Sequence, residues 1–108
     1  MKEQQIQKKI IDKYQVNGWY VLKLSKTNKN GIPDLLCLKK GEAPVFIEVK
    51  GEDGKLSDLQ KFRIKELREC GFIAYATKSA DSFYCEHQVQ CSKQCYACKK
   101  YINSVYDV

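Results

Sequence analysis

The residues best suited to chemistry are two carboxylates and one ammonium group on neighbouring predicted strands. Asp34 opens the segment DLLCLK, and Glu48 and Lys50 lie at the end of the segment VFIEVK. A turn near Gly41 pairs residues whose numbers sum to about 82, which places Asp34 opposite Glu48. Residues two apart in a strand share a face, so Lys50 points the same way as Glu48. The sequence therefore predicts that the three side chains converge at one end of a sheet.

The predicted pair of carboxylates indicates a metal site. Two carboxylates within hydrogen-bonding distance repel each other unless a cation or a proton lies between them. A hard divalent ion, Mg²⁺ or Mn²⁺, is typical of such an oxygen site. It can polarise a phosphate oxygen and activate water, while Lys50 orients that water or neutralises negative charge that develops on the phosphate. The chemistry expected of these residues is hydrolysis of a phosphate ester.

Six predicted elements position these groups in the order αβββαβ. Ile6, Ile10 and Tyr14 recur at four-residue spacing, which predicts an amphipathic helix over 2–16. Ser57 is a good N-cap and Gln60 completes a capping box, so a second helix is expected over 58–70. Strands are predicted at 19–24, 34–39, 45–50 and 72–76. This order indicates the α/β fold class, with a tail that follows residue 79.

Length and composition restrict the class of protein. The chain has 108 residues, which suits one domain, and its 19 Lys and Arg against 13 Asp and Glu give a net charge of +6. No apolar run approaches the roughly 20 residues that cross a bilayer, and the N-terminus has no secretory pattern. We therefore expect a cytoplasmic or host-intracellular protein, neither secreted nor bound to a membrane, with a polyanionic partner.

Five blocks of sequence, in order, resemble the VRR-NUC domain of the PD-(D/E)xK, or restriction-endonuclease-like, nuclease superfamily. They are Glu3-x-x-Ile6, GIPDLL at 31–36, FIEVK at 46–50, G-K-L-S-x-x-Q at 54–60 and a closing strand. E-x-K alone is a weak signal, whereas the five blocks together at hairpin-compatible spacing are a strong one. The resemblance covers about residues 3–79 and implies a central mixed sheet flanked by helices.

The resemblance also implies roles for individual residues. Asp34 and Glu48 would be metal ligands, with the Val49 backbone carbonyl as a third, and Lys50 would be the catalytic lysine. Glu3 would be a further acid at the metal, through water, and Gln60 would lie on the helix beside the site. The family implies metal-dependent cleavage of DNA phosphodiester bonds, often in branched or flapped DNA. Small stand-alone members resemble Holliday-junction resolvases and act as homodimers.

Several of these residues also have ordinary structural explanations. Glu3 could be an acid that interacts with the dipole of the first helix, although its spacing from Ile6 and Ile10 places it on the inward face. Gln60 is fully explained as part of a capping box. A basic rim is expected to contact the nucleic-acid backbone, although any single lysine could simply be solvated. Its candidate members are Lys26, Lys29, Lys55, Lys61 and Arg63.

The cysteine-rich tail supports two interpretations. Cys85, Cys91, Cys95 and Cys98 are enough soft ligands for a zinc site, and cysteines after the nuclease core hold an iron–sulfur cluster in some relatives of the superfamily. Alternatively, Cys91, Cys95 and Cys98 continue with Ile102 and Val105 as the apolar stripe of a packed helix, which is favoured. We expect a nuclease core at 1–79 and an extension at 80–108 that is not an independent domain.

The sequence thus predicts a structure-selective, metal-dependent DNA endonuclease that acts on junctions or flaps in a replication–repair or viral setting. The alternative is a non-catalytic nucleic-acid-binding or assembly module with a zinc-binding tail, which would bind DNA without cutting it. RNA stays open as a substrate, because nothing in these residues would read a 2′-hydroxyl. A core of about 79 residues is too small to enclose two arms of a branched substrate, which favours a homodimer.

Overall fold

The fold is that of a computed structural model, which describes residues 1–82. It contains two helices and four strands, and their order confirms the predicted αβββαβ arrangement and the α/β fold class. The elements are α1 (Glu3–Val16), β1 (Tyr20–Lys23), β2 (Leu35–Leu38), β3 (Val45–Val49), α2 (Asp58–Glu69) and β4 (Ile73–Thr77). Each predicted boundary lies within about two residues of the observed one, as is usual for element ends.

The four strands form one mixed sheet in the order β1-β2-β3-β4. β1 and β3 each pair with β2 antiparallel, whereas β4 pairs with β3 parallel after the α2 crossover. Leu35 lies opposite Ile47 and Cys37 lies opposite Val45, so paired residue numbers sum to 82 as predicted. Asp34, directly before β2, is therefore level with Glu48 in β3.

The larger apolar core lies between α1 and one face of the sheet. Ile6, Ile10 and Tyr14 form the buried stripe of α1, at the spacing that predicted the helix. Tyr14 contacts Trp19 edge-on, and its hydroxyl is 2.7 Å from the Tyr75 hydroxyl. The sheet residues of this core are Leu35, Cys37, Val45, Ile47, Val49 and Tyr75. This face carries the packing that holds β2 and β3 in register.

The second helix packs on the opposite face of the sheet, over β4. Ile64 of α2 is fully buried against Ala74 and Ala76, whose small side chains allow the helix to approach closely. The helix begins with the predicted capping box, in which Ser57 Oγ accepts the Gln60 N–H at 3.1 Å and Gln60 Oε1 accepts the Ser57 N–H at 2.9 Å. The cap places Gln60 at the start of α2, beside the end of β3.

The two helices of the described part, with 14 and 12 residues, are shorter than a membrane span requires. The described chain ends with Ser82, whose hydroxyl donates to the Tyr75 hydroxyl at 3.1 Å, and Ala80 packs against the core. The boundary between a core at 1–79 and an extension at 80–108 stays a prediction. Metal binding by Cys85, Cys91, Cys95 and Cys98, and their alternative as a packed helix, lie outside the described residues.

The two cysteines of the described region are free thiols in different surroundings. Cys37 is buried in the α1 core, and burial raises its pKa to about 12, whereas Cys70 is exposed at the end of α2. Because the thiolate is the reactive species, we expect iodoacetamide to label Cys70 in the native protein and Cys37 only after denaturation. Peptide mass mapping measures both sites, and equal labelling rates in the native protein would contradict the burial of Cys37.

Candidate active site

The two predicted carboxylates meet at the end of the β2–β3 pair. Asp34 Oδ2 accepts the Val49 N–H at 3.0 Å, which ties the Asp34 side chain to β3 next to Glu48. Glu48 is only 3% exposed, and the Asp34 carboxylate lies close enough for its negative charge to raise the pKa of Glu48. The β2–β3 register predicted from the hairpin turn therefore brings Asp34 and Glu48 together, as expected.

Two donors converge on one oxygen of Glu48. Gln60 Nε2 donates to Glu48 Oε2 at 3.3 Å, and Lys50 Nζ lies 3.5 Å from the same oxygen. Gln60 thus uses its amide oxygen to cap α2 and its amide nitrogen to hold Glu48. The predicted cap of α2 and a contact with Glu48 therefore coexist in Gln60. A catalytic role for Gln60 stays a prediction.

The environment of Glu48 raises its pKa from 4.5 to about 8. Burial is the largest cause, the negative charge of Asp34 adds to it, and the Lys50 ammonium opposes both. At neutral pH without a cation, the pair therefore retains a proton on Glu48. A divalent cation can replace that proton, since it would neutralise both carboxylates in a site that water screens poorly.

The donor set suits a hard cation that retains much of its hydration. Within residues 1–82, no group of three or more His, Cys, Asp or Glu side chains is placed to hold a metal. Two carboxylates with oxygens from water and backbone are the usual environment of Mg²⁺, which keeps several waters. Val49, whose carbonyl is the predicted third ligand, is the last residue of β3 and adjoins both acids. Its role as a ligand stays a prediction.

A tight turn packs on the stem of Lys50. The Lys50 N–H donates to the Thr77 carbonyl at 3.0 Å, and the Gly54 N–H donates to the Gly51 carbonyl at 3.0 Å. A β-carbon added at Gly54 would lie 3.1 Å from Lys50 Cβ and 3.3 Å from Lys50 Cδ. Only glycine lets the turn approach this closely, so Gly54 helps to set the direction of the Lys50 side chain. The pair of glycines in GEDGK is the one sign of this role in the sequence.

Glu3 lies outside the buried group of site residues. It is exposed at the start of α1, and its amide nitrogen would be 3.4 Å from a β-carbon added at Gly51, the residue after Lys50. The predicted inward orientation of Glu3 is wrong, because the first turn of α1 extends past the core and Ile6 is its first buried residue. Participation of Glu3 at a metal through water stays a prediction.

The five predicted nucleic-acid contacts differ in exposure. Lys26, Lys29 and Lys55 are exposed in loops, and Lys61 is half-buried on α2. The Arg63 side chain is only 16% exposed: its Nε donates to the Asn30 carbonyl at 2.9 Å and its Nη1 to Glu66 at 2.9 Å. Arg63 thus holds the loop that follows β1, a role that the sequence did not indicate.

Stability without metal is expected to fall as the pH rises. The pKa of Glu48 is about 8 in the folded protein against 4.5 ordinarily, so the folded state binds more protons between these values. The free energy of unfolding should therefore decrease from about pH 5 to about pH 8, as measured by urea denaturation in EDTA. Glu48→Gln should flatten this dependence, and Glu42→Gln, an exposed control in the hairpin turn, should leave it unchanged. The same slope in Glu48→Gln would contradict the assignment.

Comparison with known proteins agrees with the fold and places it in a family. The family model for the VRR-NUC domain matches residues 1–81. A solved structure described as a VRR_NUC domain is similar at 28% identity and a TM-score of 0.64, and the match covers 72% of this chain and 85% of that one. No curated protein matches the chain. The match includes Asp34, Glu48, Lys50 and Gln60, the residues that the fold brings together.

Proposed function

This chain belongs to the VRR-NUC domain family, a restriction-endonuclease-like nuclease family, and from that membership we propose that it is a metal-dependent DNA endonuclease. The observation that carries the proposal is the pair of half-buried Asp34 and buried Glu48, with Lys50 Nζ 3.5 Å from Glu48 Oε2. A nuclease fold indicates a hydrolase that acts on nucleic acid. The identity of the metal, the preference for DNA and the selectivity for branched structures are parts of the proposal.

The site residues would have separate roles in the proposed reaction. Asp34 and Glu48, with the Val49 carbonyl, would hold Mg²⁺ or Mn²⁺, and Gln60 keeps the Glu48 carboxylate oriented. When bound, the ion supplies Lewis-acid activation of the phosphate and of water. Lys50 presents a positive charge beside the pair and would offset the negative charge that develops on the scissile phosphate. The side chains of Asp34, Glu48 and Lys50 are held in place before substrate binds, so little entropy is lost in positioning them for the transition state.

The proposed substrate is branched or flapped DNA. The net charge of +6 and the exposed lysines of the loops support binding to a polyanionic backbone. A domain of this size cannot enclose both arms of a junction, and we therefore propose that a homodimer acts on it. RNA is the competing substrate, because metal-assisted hydrolysis of a phosphodiester does not itself distinguish DNA from RNA.

Cleavage assays test the proposed activity. We expect the purified full chain to cut flap and four-way-junction DNA faster than linear duplex, with Mg²⁺ or Mn²⁺, and to cut nothing in EDTA. Equal cleavage rates on linear duplex would contradict the proposed selectivity for branched DNA. Faster cleavage of RNA of the same sequence would indicate that RNA, and not DNA, is the substrate. Binding without cutting under every metal condition would instead support the non-catalytic nucleic-acid-binding module.

The proposed homodimer predicts a mass twice that of the 12.5 kDa chain. We expect light scattering coupled to size-exclusion chromatography to give this doubled mass at micromolar protein concentration. Dilution of the protein below the dissociation constant of the dimer should lower the measured mass. A monomer mass that persists both free and on a junction substrate would contradict the dimer.

A further inference from the structure

A polar cavity lies in the loop that leads into the site. The loop spans residues 24–32, between β1 and the Pro33–Asp34 pair, and residues 24–27 and 29–32 line an open cavity of about 360 Å³. This volume is at the lower end of the range of small-molecule pockets. Because the loop continues directly into Asp34, a group bound in the cavity would adjoin the carboxylate pair.

The loop is held at its base and against α2. The Leu24 N–H donates to the Asp34 carbonyl at 2.8 Å, which closes the base of the loop. The Asn30 carbonyl accepts Arg63 Nε at 2.9 Å. Gly31 has φ +82°, and a β-carbon there would lie 2.7 Å from Leu59 Cγ, so the loop backbone rests on the helix. These contacts fix the cavity before any ligand binds.

The charge of the loop favours an anion. Thr27 Oγ1 donates to the Lys29 carbonyl at 2.6 Å and accepts the Lys29 N–H at 3.3 Å, which shapes the turn between the two lysines. Lys26 and Lys29 are exposed, and neither makes an ion pair with a residue of the described part of the chain. No Asp or Glu occurs between Lys23 and Asp34. The positive charge of the loop is therefore not neutralised locally.

We propose that this cavity binds a backbone phosphate of the nucleic-acid strand next to the scissile phosphate, with Lys26 and Lys29 as its charged contacts. Arg63 is a positioning residue, which acts through the Asn30 carbonyl and does not touch the strand. The inference rests on the proposed nucleic-acid substrate, but it requires binding only and not cleavage. A held loop with two lysines fixes the register of the strand relative to Asp34.

Binding measurements with matched variants test the subsite. Fluorescence anisotropy of a labelled flap oligonucleotide in EDTA gives the Kd of the full chain over a range of salt concentrations. The Lys26→Gln/Lys29→Gln double variant should raise Kd roughly tenfold or more, because two charge-assisted contacts are lost. It should also reduce the slope of log K against log salt by about 0.7 to 0.9, the value for one phosphate. Lys9→Gln/Lys40→Gln removes the same charge from exposed positions elsewhere and should change both values much less.

The positioning role of Arg63 is tested by amide hydrogen exchange together with the salt dependence of Kd. Arg63→Ala should raise Kd and speed amide hydrogen exchange in residues 25–31 while it leaves the salt slope unchanged, because the guanidinium holds the loop and not the phosphate. Glu66→Gln, which leaves the Arg63–Asn30 contact in place, should affect neither. A salt slope that falls in Arg63→Ala, with the loop still protected, would overturn the positioning role.

The subsite and the nuclease activity can fail independently. A selective loss of binding in the Lys26/Lys29 variant supports the subsite even if the protein cuts no substrate with any metal. Equal weakening in the two double variants overturns the subsite, even if the wild-type protein cuts branched DNA. Anisotropy and cleavage measured on the same preparations separate these results.

Discussion

Asp34→Asn is expected to slow cleavage of branched DNA about 1000-fold, since several kcal/mol of transition-state stabilisation would be lost with the cation site. The asparagine amide oxygen can still accept the Val49 N–H that Asp34 Oδ2 accepts at 3.0 Å, so the β2–β3 contact survives. What disappears is the negative charge that helps to hold a cation. Single-turnover rates at saturating Mg²⁺ measure the effect.

The same substitution should stabilise the metal-free protein, which separates loss of activity from misfolding. The negative charge of Asp34 raises the pKa of the buried Glu48 carboxyl, so removal of that charge relieves repulsion between the two groups. Urea denaturation in EDTA should therefore show an unchanged or increased free energy of unfolding. Asp12→Asn is the matched control, because Asp12 is an exposed partner of Lys8 on α1. Full cleavage by Asp34→Asn would rule out the proposed site.

Lys50→Gln is expected to reduce the cleavage rate by about 100- to 1000-fold, the range typical of removing one preorganised electrostatic stabiliser. Substrate binding should change little, because Lys50 Nζ lies beside Glu48 Oε2 and not in the exposed loops. The expected pattern is therefore a fall in kcat with a nearly constant Kd for DNA, measured by single-turnover kinetics and anisotropy. An equal loss in binding and rate would make Lys50 a substrate contact only.

A companion variant examines how Lys50 is positioned. Gly54→Ala places a methyl group 3.1 Å from Lys50 Cβ, and the lysine stem must shift to accommodate it. We expect a smaller fall in kcat than in Lys50→Gln, with unchanged DNA binding. Gly41→Ala is a control for stability, because its added methyl group has no neighbour within 4 Å and only its φ of +84° is strained.

The order of elements and the strand register could be predicted from residue types and their spacing. Periodic Ile6, Ile10 and Tyr14 predicted α1, and the Ser57–Gln60 capping box predicted the start of α2. The hairpin turn was enough to place Asp34 level with Glu48, because side chains alternate and pairing follows from the turn. These features depend on residues that are close in sequence and on local backbone geometry, so one sequence is enough to predict them.

The environment of those residues could not be predicted in this way, because it depends on how distant elements pack. The pKa of Glu48 depends on burial by elements far away in sequence, and Gln60 reaches it only because α2 packs beside the end of β3. Glu3 is exposed, although its spacing from Ile6 predicted an inward orientation. Arg63 donates to the Asn30 carbonyl, 33 residues away, and so holds the loop that follows β1. Desolvation and long-range contacts are set by the folded chain as a whole, so residue types and spacing alone could not reveal them.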